Sequence, residues 1–390
     1  MKEWCPSCKT SVRSANRHAS KCPVLLRRYE LESKPYFCRD VNSYAAEISK
    51  EQTHVRVKVV DVQDALQIME GVSHDSRLLR LEQLATCVSF QTLVTDNVKL
   101  SEYQRQSRSE NLPNKSRHEL QYASIVTAMD CYGLIGDGKS GSGSSSVYVE
   151  FGAGRGYLSH FIAEMCPTTD LVLIDNTSYR FKAERSLKGR LNCSVNRLTI
   201  DIKDVVLYKV PELQTRNVIG FGKHLCGSAT DMALRACFEP CGIQRSLKVC
   251  GFAVATCCHH RCTWETYVNQ PFLSDLGFGR NEFPHLTRVS SWATLDKSKC
   301  GNEVRGTRYK QEKIALGRLA KRILDSGRLQ WCISKGFKAK MVTYIGEHVS
   351  PENVLLLVKG ELNLMHSSNM CLITSDLLIA AEFSVDDVIG

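Results

Sequence analysis

Residues 149–156 read Val-Glu-Phe-Gly-Ala-Gly-Arg-Gly, and they constrain this chain more than any other segment. A strand-like apolar run ends at Glu150–Phe151, glycines follow at 152, 154 and 156, and a helical pattern begins near Tyr157. A glycine turn between strand and helix lets the backbone approach a nucleotide closely and aims a helix N-terminus at it. A dinucleotide fingerprint has its third glycine one residue further than a G-x-G-x-G run does. That position is Tyr157 here, so a dinucleotide does not fit. An acidic residue followed by G-x-G-x-G suits S-adenosylmethionine, whose amino-acid part is cationic and which has no pyrophosphate. Glu150, Gly152, Gly154 and Gly156 are therefore the first candidate cofactor residues.

From residue 147 the pattern alternates. Strand-like runs at Val147–Phe151, Leu171–Ile174, Leu198–Ile200, Val218–Phe221 and Val249–Ala255 are separated by helical stretches at about 157–166, 178–190 and 228–238. This alternation predicts an α/β fold, a mostly parallel sheet with crossover helices. An amphipathic helix is expected around Leu316–Leu324, after a polar surface loop at 296–311. Two closing strands are expected at 337–345 and 354–359, close enough to form an antiparallel pair. Asp175 ends the second run about twenty residues beyond the glycine turn, where a carboxylate accepts hydrogen bonds from ribose hydroxyls. Asp201-Ile202 follows the third run, where the adenine amine would sit. An Asp at a strand end can equally cap the next helix.

Four zinc-competent residues stand near the N-terminus, Cys5-x2-Cys8-x9-His18-x3-Cys22. Thiolates and imidazole in close-set pairs suit a tetrahedral structural Zn²⁺ site. So short a module has no adequate core without metal. Lys9, Arg13, Arg17, Lys21, Arg27 and Arg28 surround it as a solvated face or as phosphate contacts. The predicted order is a finger at 1–30, a linker and helical region at 31–135, a Gly/Ser-rich loop at 136–146, the α/β domain at 147–360 and an unassigned tail at 361–390. Within the second of these, 31–74 is weakly patterned, and helix is expected over 75–132. Gly133–Ser140 formally matches a P-loop, but a helical pattern precedes it and a Gly/Ser linker follows, so the match is read as chance.

The chain has 390 residues, 43% of them hydrophobic, enough for one large domain and a small one. Its net charge of +10 favours an anionic partner. No apolar stretch approaches a membrane span, and Met1 leads into Lys2, Glu3 and Trp4 rather than an apolar signal region. An intracellular protein of nucleus or cytoplasm is expected, neither secreted nor in a membrane. In that setting the 18 cysteines read as reduced thiols and metal ligands rather than disulfides.

Two further clusters fall at carboxyl ends of strands, where open α/β sheets bind and react. Gly222-Lys223-His224-Leu225-Cys226-Gly227 ends the fourth run, and Thr256-Cys257-Cys258-His259-His260-Arg261-Cys262 ends the fifth. Together with the glycine run, Ser228-Ala-Thr-Asp231 and Ser290-Ser-Trp-Ala-Thr294, these motifs resemble the eukaryotic tRNA 2′-O-methyltransferases that modify acceptor-stem position four. The likeness runs from the finger to about Val358. It implies a class I (Rossmann-like) methyltransferase fold with a seven-stranded sheet, S-adenosylmethionine as cofactor and transfer RNA as substrate. Members of that family usually begin with an additional Cys/His finger, which does not precede Cys5. Their second finger typically opens Cys-x5-His, where Cys5-x2-Cys8 stands here. The acid at Asp175 is commonly Glu, and a long insertion before the fifth strand is missing.

Ribose methylation needs a base or a positioning group for a weakly acidic hydroxyl. The candidates are Lys223, His224, His259, His260 and Arg261. His224 or His260 is the preferred base or orienter, and Arg261 or Lys223 the preferred phosphate contact. Five adjacent ligands in 257–262 rarely all point at one metal, so a second zinc site there is not expected. Two other functions compete. Cytosine-C5 methylation would use Thr256-Cys257, but its companion Pro-Cys pair lies at Pro240-Cys241, beyond a helix. A non-catalytic finger adaptor would bind RNA without chemistry.

Overall fold

The expected apolar runs become strands of one sheet, with the run before the glycine turn in its interior. The computed structural model describes residues 3–12, 18–43, 91–92, 114–135, 146–166, 168–180, 182–187, 193–239, 247–294 and 304–360. Strands are β1 (Glu3–Trp4), β2 (Ser11–Val12), β3 (Gln91–Thr92), β4 (Val147–Phe151), β5 (Asp170–Asp175), β6 (Val195–Thr199), β7 (Asn217–Cys226), β8 (Lys248–Cys257), β9 (Lys338–Thr343) and β10 (Val354–Lys359). Helices are α1 (Pro23–Glu32), α2 (Asn114–Cys131), α3 (Tyr157–Met165), α4 (Ser228–Phe238), α5 (Gln270–Asp275), α6 (Phe283–Ser290) and α7 (Val304–Ser334).

The sheet order is β3-β9-β10-β8-β7-β4-β5-β6. Neighbours from β6 through β8 run parallel, and β10 is antiparallel to both β8 and β9. This is the class I methyltransferase sheet that the motifs imply, with seven principal strands. A two-residue edge strand, β3, is added parallel to β9. Its side-chain pattern is too short to announce itself in sequence. The chain leaves β4 toward β5 on one side and later returns to place β7 on the other. That reversal opens a crevice at the carboxyl ends of β4 and β7.

Alternation along β4 supplies both faces. Val147, Val149 and Phe151 join Val172, Ile174, Phe252 and Leu356 in one buried layer, while Tyr148 joins Leu171, Leu173, Phe221 and Ala253 in the other. A sheet covered on both faces reads as continuous apolar runs. Each such side chain contributes about 1.5–3 kcal/mol on full burial. A third cluster, with Tyr267, Phe283, Trp292 and Leu324, packs α6 and α7 under the loop that follows β8. Gly317 of α7 is needed there, since a Cβ would lie 2.2 Å from the Ala293 amide nitrogen of the Ser-Ser-Trp-Ala-Thr segment.

Several boundaries differ from expectation. The helix expected at 178–190 is a short 3₁₀ segment at Ala183–Leu187 among the described residues. The third strand begins at Val195, because Val195 and Leu198 supply its pattern without a longer apolar run. Helix α7 starts at Val304, inside the stretch read as a polar loop, since Arg, Lys, Gln and Glu are good helix formers without apolar periodicity. β7 runs through Cys226, beyond the expected run at Val218–Phe221. The weakly patterned stretch after α1 contains a strap. Val206 N donates to Tyr36 O (2.8 Å), Asn42 Nδ2 donates to Ile202 O (2.7 Å) and Val205 O (2.8 Å), and Arg235 Nη1 donates to Asn42 O (2.6 Å). The helical expectations around Leu78–Ala85, the loop at 136–145 and the tail at 361–390 lie outside the described residues. Among the described residues no helix is long and apolar enough to cross a membrane.

Candidate active site

The crevice is a cleft of about 610 Å³, and its two walls have different chemistry. The first wall is the glycine turn. Gly152, Gly154 and Gly156 have φ of +60°, +53° and +76°, a left-handed region that side chains rarely adopt. A Cβ on Gly152 would lie 2.9 Å from Leu225 Cδ2, whereas one on Gly154 meets only open space, the cleft itself. Gly156 does not line the cleft but starts α3 as its N-cap. The buried Glu150 carboxylate accepts from Ser159 N (3.1 Å) and Ser159 Oγ, which fixes the first turn of α3. Asp175 Oδ2 accepts from Gly154 N and its Oδ1 from Thr177 N, each at 2.8 Å. Asp201 accepts from Lys203 N (3.1 Å) and so does cap a turn, yet it and Ile202 also line the cleft. Of the seven expected cofactor residues, the structure brings six to the cleft surface.

The facing wall comes from β7 and the loop after β8. The register passes from Gly222↔Val254 to Leu225↔Thr256, so two residues of β7 oppose one of β8. Lys223 and His224 form this β-bulge, a device that re-aims side chains beside active sites. Lys223 is 5% exposed. Its Nζ lies 3.1 Å from His118 Nδ1 and 4.1 Å from the centroid of the Tyr122 ring, both residues of α2. Burial lowers its pKa to about 8, against an opposing influence from Cys257. His224 is exposed at the mouth, with its ring edge-on to His118 at 6.2 Å. Desolvation, then the charges of Lys223 and His118, lower its pKa to about 4. The flanking charges are the firmer cause, because the side chain meets water. Tyr122 stacks on Tyr157 at 6.2 Å, and burial followed by Glu150 raises its pKa to about 12.

The Cys-Cys-His-His-Arg-Cys run divides. Arg261 lines the cleft and His260 is exposed outside its lining. His259 is 1% exposed and points away, its Nε2 2.8 Å from Asp325 Oδ1. Asp325 also accepts from Thr256 Oγ1 (3.0 Å) and Arg328 Nη1 (3.1 Å), and Arg328 Nη2 reaches Asp231 Oδ2 (2.7 Å) and Cys262 Sγ (3.1 Å). Burial alone would raise the Asp325 pKa, but His259 and Arg328 hold it below the ordinary carboxylate range. Sequence reasoning missed His118 and Tyr122. Their signal was a pair spaced i, i+4 on one helix face, with nothing to say what that face met.

The four N-terminal ligands converge. Cys5 and Cys8 flank the turn of the β1–β2 hairpin, where Cys5 N donates to Thr10 O (2.9 Å), and Cys22 caps α1. The Cys5 and Cys22 sulfurs are 3.7 Å apart, Cys8 Sγ is 3.3 Å from His18 Nε2, and all four ligand atoms lie within 4.8 Å of one another. Tetrahedral Zn–S bonds of about 2.3 Å place sulfurs about 3.8 Å apart, so these residues fit zinc.

An open α/β sheet with this order, a glycine turn at its switch point and acids on the next two strand ends defines a class I methyltransferase fold. The chain belongs to the family described as Methyltransferase TRM13, whose model matches residues 120–359. A human protein named tRNA:m(4)X modification enzyme TRM13 homolog is 29% identical over 320 residues, covering 63% of this chain and 65% of that protein. The mouse homolog of the same name is 31% identical, covering 62% of this chain and 63% of its own length. The tRNA:m(4)X modification enzyme TRM13 of Vanderwaltozyma polyspora is 25% identical over 374 residues, covering 87% of this chain and 84% of that protein. The chain thus spans a little under two thirds of the length of the human and mouse relatives.

Proposed function

We propose that this chain is an S-adenosylmethionine-dependent tRNA methyltransferase that modifies the ribose 2′-hydroxyl of nucleotide 4 in the acceptor stem. The observation that carries the reading is the bulge that sets Lys223 and His224 across one cleft from Gly154, Asp175 and Asp201. The names of the relatives support tRNA as the substrate class. The +10 net charge suits a polyanion. With that substrate, the reading puts the site of action in the nucleus or cytoplasm as part of the same proposal.

When bound, S-adenosylmethionine supplies an electrophilic sulfonium methyl. Asp175 would hold the ribose hydroxyls and Asp201-Ile202 the adenine, with Gly152 and Gly154 leaving room for the amino-acid part. On the facing wall Lys223 is the preferred proton acceptor. Its pKa near 8 lies closer to the operating range than that of His224, and a base works best when matched to that range. His118 orients the Lys223 amine through its 3.1 Å contact. His224 and Arg261 stand at the mouth, where ribose and phosphate would enter. His260 keeps a place as an outer RNA contact, and His259 acts as a positioning residue beneath the loop. The finger, with Cys5, Cys8, His18 and Cys22 holding Zn²⁺, adds a further RNA-binding surface.

Tritiated methyl transfer to total tRNA, followed by nuclease mapping, tests the reading. Label on the 2′-oxygen of nucleotide 4 is expected. Label on a cytosine base would favour the C5 alternative, but Cys257 suits that chemistry poorly. It is 6% exposed and does not line the cleft. Absence of binding heat with S-adenosylmethionine would leave a non-catalytic adaptor.

A further inference from the structure

Three thiols meet at the floor of the Lys223 wall. Cys226 closes β7 and Cys257 closes β8, and they are register partners across the parallel pair. Their sulfurs are 3.8 Å apart. With Cys258 Sγ, all three lie within 4.8 Å of one another. Consecutive strand residues point to opposite faces, so Cys257 and Cys258 would diverge if β8 simply continued. It does not, because Cys258 takes φ 49° and ψ 42°, in the left-handed region. That conformation costs a non-glycine residue about 1–2 kcal/mol. The neighbouring Gly227, also at positive φ, allows the close approach, since a Cβ there would lie 2.5 Å from the Arg261 carbonyl carbon. The reversal at Cys258 accompanies the convergence of the three sulfurs, and Gly227 lets the turn after β7 seat against the turn after β8.

The spacing fits a shared metal ion and not a disulfide. A disulfide needs sulfurs about 2.05 Å apart, whereas thiolates sharing a tetrahedral zinc stand about 3.8 Å apart. The finger shows the same separation, 3.7 Å between Cys5 and Cys22. Charge agrees as well. A divalent ion with three thiolates carries one net negative charge, and two cations stand on the same wall, buried Lys223 and exposed Arg261.

We propose that Cys226, Cys257 and Cys258 hold a second zinc ion, distinct from that of the finger, which ties the end of β7 to the turn after β8. Among the described residues no fourth His, Cys or carboxylate joins the group, so the last coordination position is left to water, as in zinc sites that keep an open position. Of the residues in the 257–262 run, Cys262 bonds Arg328 and His259 bonds Asp325, so only the two adjacent cysteines take part.

The test is metal analysis of the full chain, purified in reducing buffer without chelator. About two zinc ions per chain are expected, falling to about one in Cys258→Ser, to about one in Cys8→Ser, and to near zero in the double variant. One zinc in the wild type, with Cys258→Ser unchanged, overturns the site. So does a Cys226–Cys257 disulfide in the intact protein under reducing purification. Since a serine variant can fail to fold, the wild-type chain is also loaded with Co²⁺. Thiolate-to-cobalt absorption from two sites, twice that of Cys258→Ser or of an isolated finger-type site, supports the proposal, and absorption of one site refutes it. Methyl transfer is not the readout, so this result is independent of the proposed activity.

Discussion

On the Gly152–Gly156 side of the cleft, what faces a ligand is mainly backbone and carboxylate, fixed by short-range bonds. Gly154 N to Asp175 and Ser159 to Glu150 close within about one strand–turn–helix unit. On the Lys223–Cys226 side the groups are titratable side chains, and their partners come from far along the chain. His118 is 105 residues from Lys223, and Asp325 is 66 from His259. A wall that recognises a fixed cofactor can be built from local geometry. A wall proposed to handle a proton and an RNA needs side chains whose charge is tuned by distant neighbours. Each wall should therefore fail in its own way.

The largest effect is expected on the first wall. Gly154→Asp imposes a side chain at φ +53° and directs a carboxylate into the cleft. Affinity for S-adenosylmethionine should fall more than about 100-fold, as two costs of about 1–2 kcal/mol or more combine. Calorimetry reads it directly, and unchanged binding would remove the cofactor from this cleft. On the other wall, Lys223→Met should lower kcat by about 10²–10⁴-fold, the usual contribution of a positioned base. Cofactor affinity should stay within about twofold. If both parameters fall together, the two walls are not separable and Lys223 belongs to the cofactor site.

Asp325→Ala probes what lies beneath the second wall. Removing it strips the buried His259 of its carboxylate and leaves the buried Arg328 with Asp231 but an unanswered Nη1, and breaking such a buried network costs about 3–5 kcal/mol. A fall in denaturant midpoint is expected, with cofactor affinity per folded molecule retained. The sign with pH follows from the lowered Asp325 pKa. Its contribution to stability is present above the unfolded carboxylate range and is lost as pH falls through the lower folded value. Asp325→Asn should therefore flatten the acid limb of the stability curve.

How far sequence reached follows the same division. β4, β5 and β8 were visible because strands buried on both faces read as apolar runs, and the glycine turn, Asp175 and Asp201 were visible because their spacing is local. The finger was visible because ligand identity and spacing were both in view. The bulge was not, since a register shift exists only relative to a partner strand. His259 looked like a catalytic candidate beside His260, yet the sequence could not show that one ring enters the core while the next meets solvent. Cys226 was seen within a motif, but its convergence with Cys257 and Cys258 depends on pairing of β7 with β8 and on a left-handed turn.

The smaller effects sharpen the second wall. If Lys223 accepts the proton, methyl transfer should rise with pH to a midpoint near 8, since only the neutral amine is a base. The groups facing it are His118 and Tyr122 from α2, His224 beside it and Cys257 from β8. His118→Ala removes the 3.1 Å contact and should shift that midpoint while leaving cofactor affinity unchanged. A midpoint near 4 would assign the base to His224 instead. Finally, Cys8→Ser should weaken tRNA binding by about tenfold and reduce its salt dependence, because the basic surface around the finger would lose its scaffold. Cofactor affinity should not move, since the ligands of the finger lie outside the cleft lining. The strap at 36–43 is the physical reason to measure both. It bonds to Ile202 and Val205 beside the proposed adenine position, so it is the route by which a finger defect could reach the proposed cofactor wall. An equal loss of tRNA and cofactor binding would show that the finger, through this strap, is part of the core.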